Sequence, residues 1–190
     1  MDALGAYERT LVWTGQRVAG VRPEDFGSAT PCTDWDVRAL VAHIVAGIWY
    51  FKALAAGEPV ADLMRGLSDL VGDDAFASYD QAARAGLEAW RAPGTMTRTY
   101  TMPMGERSGQ EALSIHQADL LLHGWDLAEA THQDSTMDAE LAGFALDTEG
   151  WFVRVGMRGP GRAYAEARSP DSESVQDRLL AIAGRTSRWR

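Results

Sequence analysis

Apolar residues recur at helical spacing through most of this 190-residue chain, and the breaks between those stretches fall on Gly, Pro and Ser. Leu4, Tyr7, Leu11, Val12 and Val18 predict a first helix over Asp2 to Ala19. VRPEDFGSATPCT interrupts the pattern as a loop. Thr33-Asp34-Trp35-Asp36 offers an N-cap and acidic first-turn residues to a second helix, from about Asp34 to Ala56, which Gly57-Glu58-Pro59 stops. A short helix near Ala61–Leu70 and a longer one near Asp73–Arg91 follow, closed by Pro93-Gly94. Between Thr95 and Met104, MTRTYTMPM alternates instead. That predicts a strand or small β hairpin near 95–104, confined to an edge by Pro103. Ser108 to Ala130 is the third long helix, and Asp138 to Val155 reads as helical again. GMRGPGRAYAEARSPDSES reads as extended, and Ser174 to Gly184 as a final short helix ending on Gly. No repeat or low-complexity tract is present. The sum is an all-α fold: one domain over 1–190, a four-helix bundle with short additional helices.

Two of these helices carry ionisable groups where the pattern is apolar. ALVAHIVAGIWYF, from Ala39 to Phe51, has His43 as its only acidic or basic side chain. In HQADLLLHGWDLA, Asp119 and His123 stand at i and i+4, so both leave one helix face. On a helical wheel His116, Asp119, His123 and Asp126 fall within an arc of roughly 80°, and Leu, Ile, Ala and Trp dominate the rest. Such a stripe faces either water or an internal polar site, and a lone histidine in an apolar run is often a satisfied core residue. Two such helices in one bundle favour a shared site. Buried imidazoles and a carboxylate need compensation, which a divalent metal held by His43, Asp119 and His123 would supply. Zinc is the first choice, with nickel or ferrous iron as alternatives, and three protein ligands leave a position open for water or substrate.

His116 and Asp126, one turn either way, are candidates for a fourth ligand, an orienting group or an acid/base. Gly47 and Tyr50, beyond His43 on its own face, are candidates for the pocket lining, with Tyr50 equally at home as a core aromatic. Cys32 reads as a structural residue of the loop that caps the second helix. His132 reads as a solvated residue past a helix end, beside the dipole.

The net charge of −9 excludes the basic face that nucleic-acid binding needs and disfavours anionic membranes. The single cysteine excludes an internal disulfide and thiolate-rich zinc sites, and suits a reducing, cytoplasmic setting. The N-terminal residues lack a secretory h-region, and the apolar run around His43 reads as too short to span a bilayer. Seven tryptophans predict large buried contacts, in the core or across a homodimer interface. No phosphate loop, nucleophile elbow or dinucleotide fingerprint occurs.

TPCTDWDVRALVAHIVAG, then DLLLHGWDLAEAT, then QDRLLAIAGR near the end resemble an actinobacterial family of the DinB/YfiT-like superfamily, close to the metal-binding domain of mycothiol-dependent maleylpyruvate isomerase. The resemblance covers nearly the whole chain. It implies a four-helix bundle binding a divalent metal through His43, Asp119 and His123, with Asp119 where relatives usually carry His or Glu. It also implies thiol chemistry: mycothiol as cosubstrate of a transferase or isomerase acting on a small electrophile. The isomerase has a further C-terminal domain contributing to its thiol site, which a chain of this length is not expected to include, so maleylpyruvate isomerisation itself is not implied. The alternative is a non-enzymatic metal- or small-molecule-binding protein.

Overall fold

Aspartates and serines set the helix starts in the computed structural model, which describes residues 1–60, 70–152, 165–187 and 189. Six α-helices and one hairpin occur among them: α1 (Ala3–Ala19), α2 (Val37–Ala56), α3 (Ala75–Arg91), β1 (Thr99–Met102), β2 (Gly105–Ser108), α4 (Gly109–Ala130), α5 (Ala139–Phe152) and α6 (Val175–Ile182). Asp2, Asp36, Asp74, Ser108 and Ser174 each accept a backbone N–H from the first turn of the helix that follows. The helix expected near Ala61–Leu70 falls on residues 61–69, outside the described residues, as do 153–155 of the helix expected over Asp138 to Val155 and 156–164 of the segment expected to be extended. Residues 165–174 hold neither helix nor strand.

Two boundaries differ from expectation. Helix α2 starts at Val37 rather than Asp34, because an isolated bridge between Ala29 and Asp36 keeps residue 36 extended and makes it the cap. The hairpin sits later than expected, pairing Thr99 with Ser108 and Met102 with Gly105. Pro103 thus falls in the turn, where its missing N–H costs no ladder bond. At the other end of α2, Gly57 takes φ 74°, the left-handed conformation that ends a helix without a Cβ clash.

Helix α1 packs on α3 and α4, and α2 packs on α3 and α4, so the four close a bundle in which α4 lies between α1 and α2. Helix α5 covers the outer side of α4, and α6 packs on α5. Leu113, Ile115, Leu120 and Leu127 of α4 therefore enter the bundle core. Leu121, Leu122 and Trp125 enter a second core with Leu141, Leu179 and Leu180. Trp90 and Trp125 are fully buried. With both sides of α4 covered, its polar stripe faces the interior: His116, His123 and Asp126 are all buried. Helix α2, at 20 residues, is long and apolar enough to cross a bilayer, contrary to the shorter run read from the sequence, although 67% of its apolar 18-residue stretch is buried inside the fold.

The Asp36 cap holds the first turn of the helix that carries His43. Asp36→Ala is expected to lower stability by about 1 kcal/mol, read as a lower urea midpoint at unchanged slope. An unchanged midpoint would mean that the bridge to Ala29 alone fixes this start.

Candidate metal centre

The donors come from two helices in direct contact. Nε2 of His43, on α2, stands 3.7 Å from Oδ2 of Asp119 on α4. One turn further along α4, Nε2 of His123 is 3.4 Å from the other oxygen, Oδ1. One donor atom from each residue lies within 4.8 Å of the other two. Tetrahedral ligands at about 2.0–2.1 Å from one ion stand roughly 3.3–3.4 Å apart, so the shorter carboxylate of aspartate reaches far enough. Nε2 of His43 is buried and makes no hydrogen bond, which suits its lone pair to a cation. The Asp119 side chain is 36% exposed, against 16% for His43 and 10% for His123, so the set opens to solvent on the carboxylate side.

The other face of His123 is held from behind. Its Nδ1 lies 3.0 Å from Oδ2 of the fully buried Asp126. Arg185, beyond α6, grips that carboxylate at both oxygens, donating Nε to Oδ1 at 2.7 Å and Nη2 to Oδ2 at 2.6 Å. The Cys32 thiol donates to the same Oδ2 at 3.2 Å and lies 3.7 Å from Nδ1 of His123. A carboxylate on the second ring nitrogen fixes orientation and tautomer, leaving Nε2 to face Asp119.

Charge follows geometry. Burial alone would raise the Asp119 carboxyl, but the charge and hydrogen bond of His123, and then the nearby His43 imidazole, hold it well below the usual carboxylate range. Burial alone would lower the His123 imidazole. The Asp119 charge, and hydrogen bonds to Asp119, Asp126 and Cys32, hold it well above the ordinary histidine value. Asp126 is lowered against its burial by Arg185 and then His123. An ion bound at Nε2 of His123 therefore displaces a proton.

The loop before α2 supplies the remaining wall. The Trp35 ring lies 4.4 Å from that of His43 and 5.6 Å from that of His123, centroid to centroid. Thr30, itself buried, ties the loop by donating to the Trp35 carbonyl at 2.9 Å and accepting from the Cys32 N–H at 3.1 Å.

The fold thus brings His43, Asp119 and His123 together, and puts Asp126 against His123 as an orienting group. His116 joins neither donor group found among the described residues. Its ring stacks on Phe51 at 4.2 Å and packs against Tyr7 at 5.2 Å, with Nδ1 buried and unpartnered. Burial lowers its pKa to about 4. Gly47 faces Nε2 of His116, where a Cβ would stand 3.6 Å away, rather than the donor set. Tyr50 packs edge-on against Phe51. His132 is exposed, at φ 57°. Cys32, expected to serve the capping loop alone, instead directs its thiol at the His123–Asp126 pair, because the Thr30 clasp turns the loop toward α4. Arg185 and Trp35 were absent from the sequence-derived site. The only signals available were the tryptophan next to the cap and a lone arginine after the terminal glycine.

Residues 14–128 match the family described as the mycothiol maleylpyruvate isomerase N-terminal domain. That span includes His43, Asp119, His123 and Asp126 but not Arg185. Uncharacterized proteins from two strains of Mycobacterium tuberculosis are each 34% identical over 189 residues, covering 99% of this chain and 100% of theirs. Among solved structures, the mycothiol-dependent maleylpyruvate isomerase shares the fold with a TM-score of 0.63 at 15% identity, over 77% of this chain and 66% of that one. A histidine-to-alanine mutant of that enzyme gives 0.57 at 14% over the same shares.

Proposed function

The chain belongs to the mycothiol maleylpyruvate isomerase N-terminal domain family, and from that premise we propose that it binds a divalent metal and is a thiol-dependent transferase or isomerase acting on a small electrophile. The observation that carries this reading is the convergence of His43, Asp119 and His123 from two helices, with a buried and unpartnered nitrogen on His43. Zinc suits two imidazoles and one carboxylate best, with nickel and ferrous iron as alternatives. Mycothiol is the proposed thiol, because the family and the isomerase sharing this fold are both described by it. The same proposal has a one-domain protein working in the reducing cytoplasm.

His43, Asp119 and His123 would hold the ion. Bound there, it supplies the positive charge that keeps a thiol deprotonated at neutral pH and so nucleophilic. Asp126 and Arg185 keep the His123 ring from turning, and Trp35 excludes water from one side of the imidazole pair. The exposed edge of Asp119 leaves a path for thiol and electrophile.

Elemental analysis of untagged protein is expected to find close to one ion per chain, lost in His43→Ala. Chelator should lower the melting temperature of the parent and leave that of the variant unchanged. Equal trace metal in both proteins would overturn the site. Uptake should weaken as pH falls, since a proton on His123 competes. Holo-protein with mycothiol and a panel of electrophiles should consume thiol faster than buffer alone. Consumption at the uncatalysed rate would favour the binding-only alternative.

A further inference from the structure

Trp35 belongs to no helix, yet its ring lies against both imidazoles of the donor set. It lies 4.4 Å from His43 with the planes 31° apart, and 5.6 Å from His123 with the planes 53° apart. The two imidazoles are 4.8 Å apart and nearly perpendicular, at 77°. The two rings reach the site from different helices, so a group that can orient both must lie against both ring planes and be rigidly held itself. Trp35 is so held, because its own backbone is pinned twice: the Trp35 N–H donates to the Cys32 carbonyl at 2.8 Å, and its carbonyl accepts from the Thr30 hydroxyl at 2.9 Å. The bridge from Ala29 to Asp36 closes the same loop. The ring is half-buried and packed against the bundle core.

We propose that Trp35 is a positioning residue of the metal centre, holding His43 and His123 in the mutual orientation that binding requires and favouring their coordinated state over their free state. The physical basis is the electron-rich face of indole. An imidazole that gives its lone pair to a cation becomes electron-poor, and stacking on an electron-rich ring then strengthens. Asp119 cannot substitute for this, since it meets the two nitrogens and leaves the ring planes free to rotate. His43 depends on Trp35 more than His123 does, because Asp126 already holds the second nitrogen of His123 and no hydrogen bond to either nitrogen of His43 is present among the described residues.

The inference rests on the metal reading above, and the two can fail separately. Metal-free parent, Trp35→Phe and Trp35→Leu proteins are titrated with Co²⁺ alone, following the visible d–d bands and the tryptophan emission. The parent is expected to bind one ion with intense bands of low coordination number and to lose part of its emission, as a paramagnetic ion beside Trp35 quenches it. Trp35→Phe, which keeps an aromatic face, should bind within about threefold of the parent with the same band shape, while losing most of the quenching. Trp35→Leu should bind roughly tenfold more weakly or worse, with altered bands. Circular dichroism of each metal-free protein separates this from a general loss of fold. Should Trp35→Leu not fold, Trp35→Phe decides alone, since quenching that persists in it would place Trp35 away from the bound ion. Parent-like affinity and bands in Trp35→Leu would overturn the proposal while leaving the metal site intact. Failure of the parent to bind Co²⁺ would overturn the site and the proposal with it.

Discussion

Replacing Arg185 by methionine is expected to cost about 3–5 kcal/mol of stability, because it strands a buried carboxylate. Asp126 is fully buried, and Arg185 meets both of its oxygens at 2.6–2.7 Å. Without the guanidinium, the His123 ring and the Cys32 thiol are the partners left to the charge among the described residues. At about 2–4 °C per kcal/mol for a chain of this size, the melting temperature should fall by roughly 10 °C. The double variant Asp126→Leu/Arg185→Met separates two roles. Exchanging a buried ion pair for apolar groups of similar volume is often neutral, so most of the stability should return. Metal affinity should not, because the carboxylate that held Nδ1 of His123 is gone, and such a loss weakens binding by about 10–100-fold. A single variant within about 1 kcal/mol of the parent would show that the pair adds little.

Acidification should destabilise the metal-free protein before ordinary carboxylates titrate, and His116 is the cause. Burial lowers its folded pKa from 6.5 to about 4, so the folded chain resists a proton that the unfolded chain accepts. Its contribution is full above pH 6.5 and is lost as pH falls from 6.5 toward 4. At 1.36 kcal/mol per unit, the loss reaches about 3 kcal/mol. The depressed carboxyls of Asp119 and Asp126 do not obscure this. Their contribution is present above the unfolded carboxylate range and is lost only as pH falls further, through their lowered folded values. The raised His123 acts on the opposite side, where its contribution is full below 6.5 and is lost as pH rises through its folded value. Urea midpoints measured with chelator at pH 6, 5 and 4.5, below the window in which His123 acts, should therefore converge in His116→Leu and diverge in the parent. A parent with equal midpoints at pH 6 and 4.5 would exclude this account.

The helices and the donor triad were legible because both rest on periodicity. Asp119 and His123 share a face by spacing alone, and His43 stands out because its whole neighbourhood is apolar. The same spacing misplaced His116. It lies in the polar arc, but α4 is covered on both sides, and an arc of roughly 80° spans the donor site and the neighbouring contacts with Phe51 and Tyr7. Periodicity cannot divide that arc. Cys32, Trp35 and Arg185 were illegible for a different reason: they sit in irregular segments, where side-chain direction is set by tertiary hydrogen bonds such as those of Thr30. The hairpin was half legible. Alternation marked it, but the turn at Pro103 and Met104 was decided by pairing with Gly105 to Ser108, which carries little alternation of its own.

The pairing of Asp126 with a guanidinium 59 positions later also orders events in time. On a ribosome the first four helices emerge and can collapse while the charge on Asp126 still lacks its cation, so the early bundle carries an acid it would rather leave wet or protonated. The site locks only once α6 has docked and Arg185 has arrived. On the metal reading proposed above, ion capture would then wait for that docking, and chains clipped ahead of Arg185 would stay empty and prone to unravel.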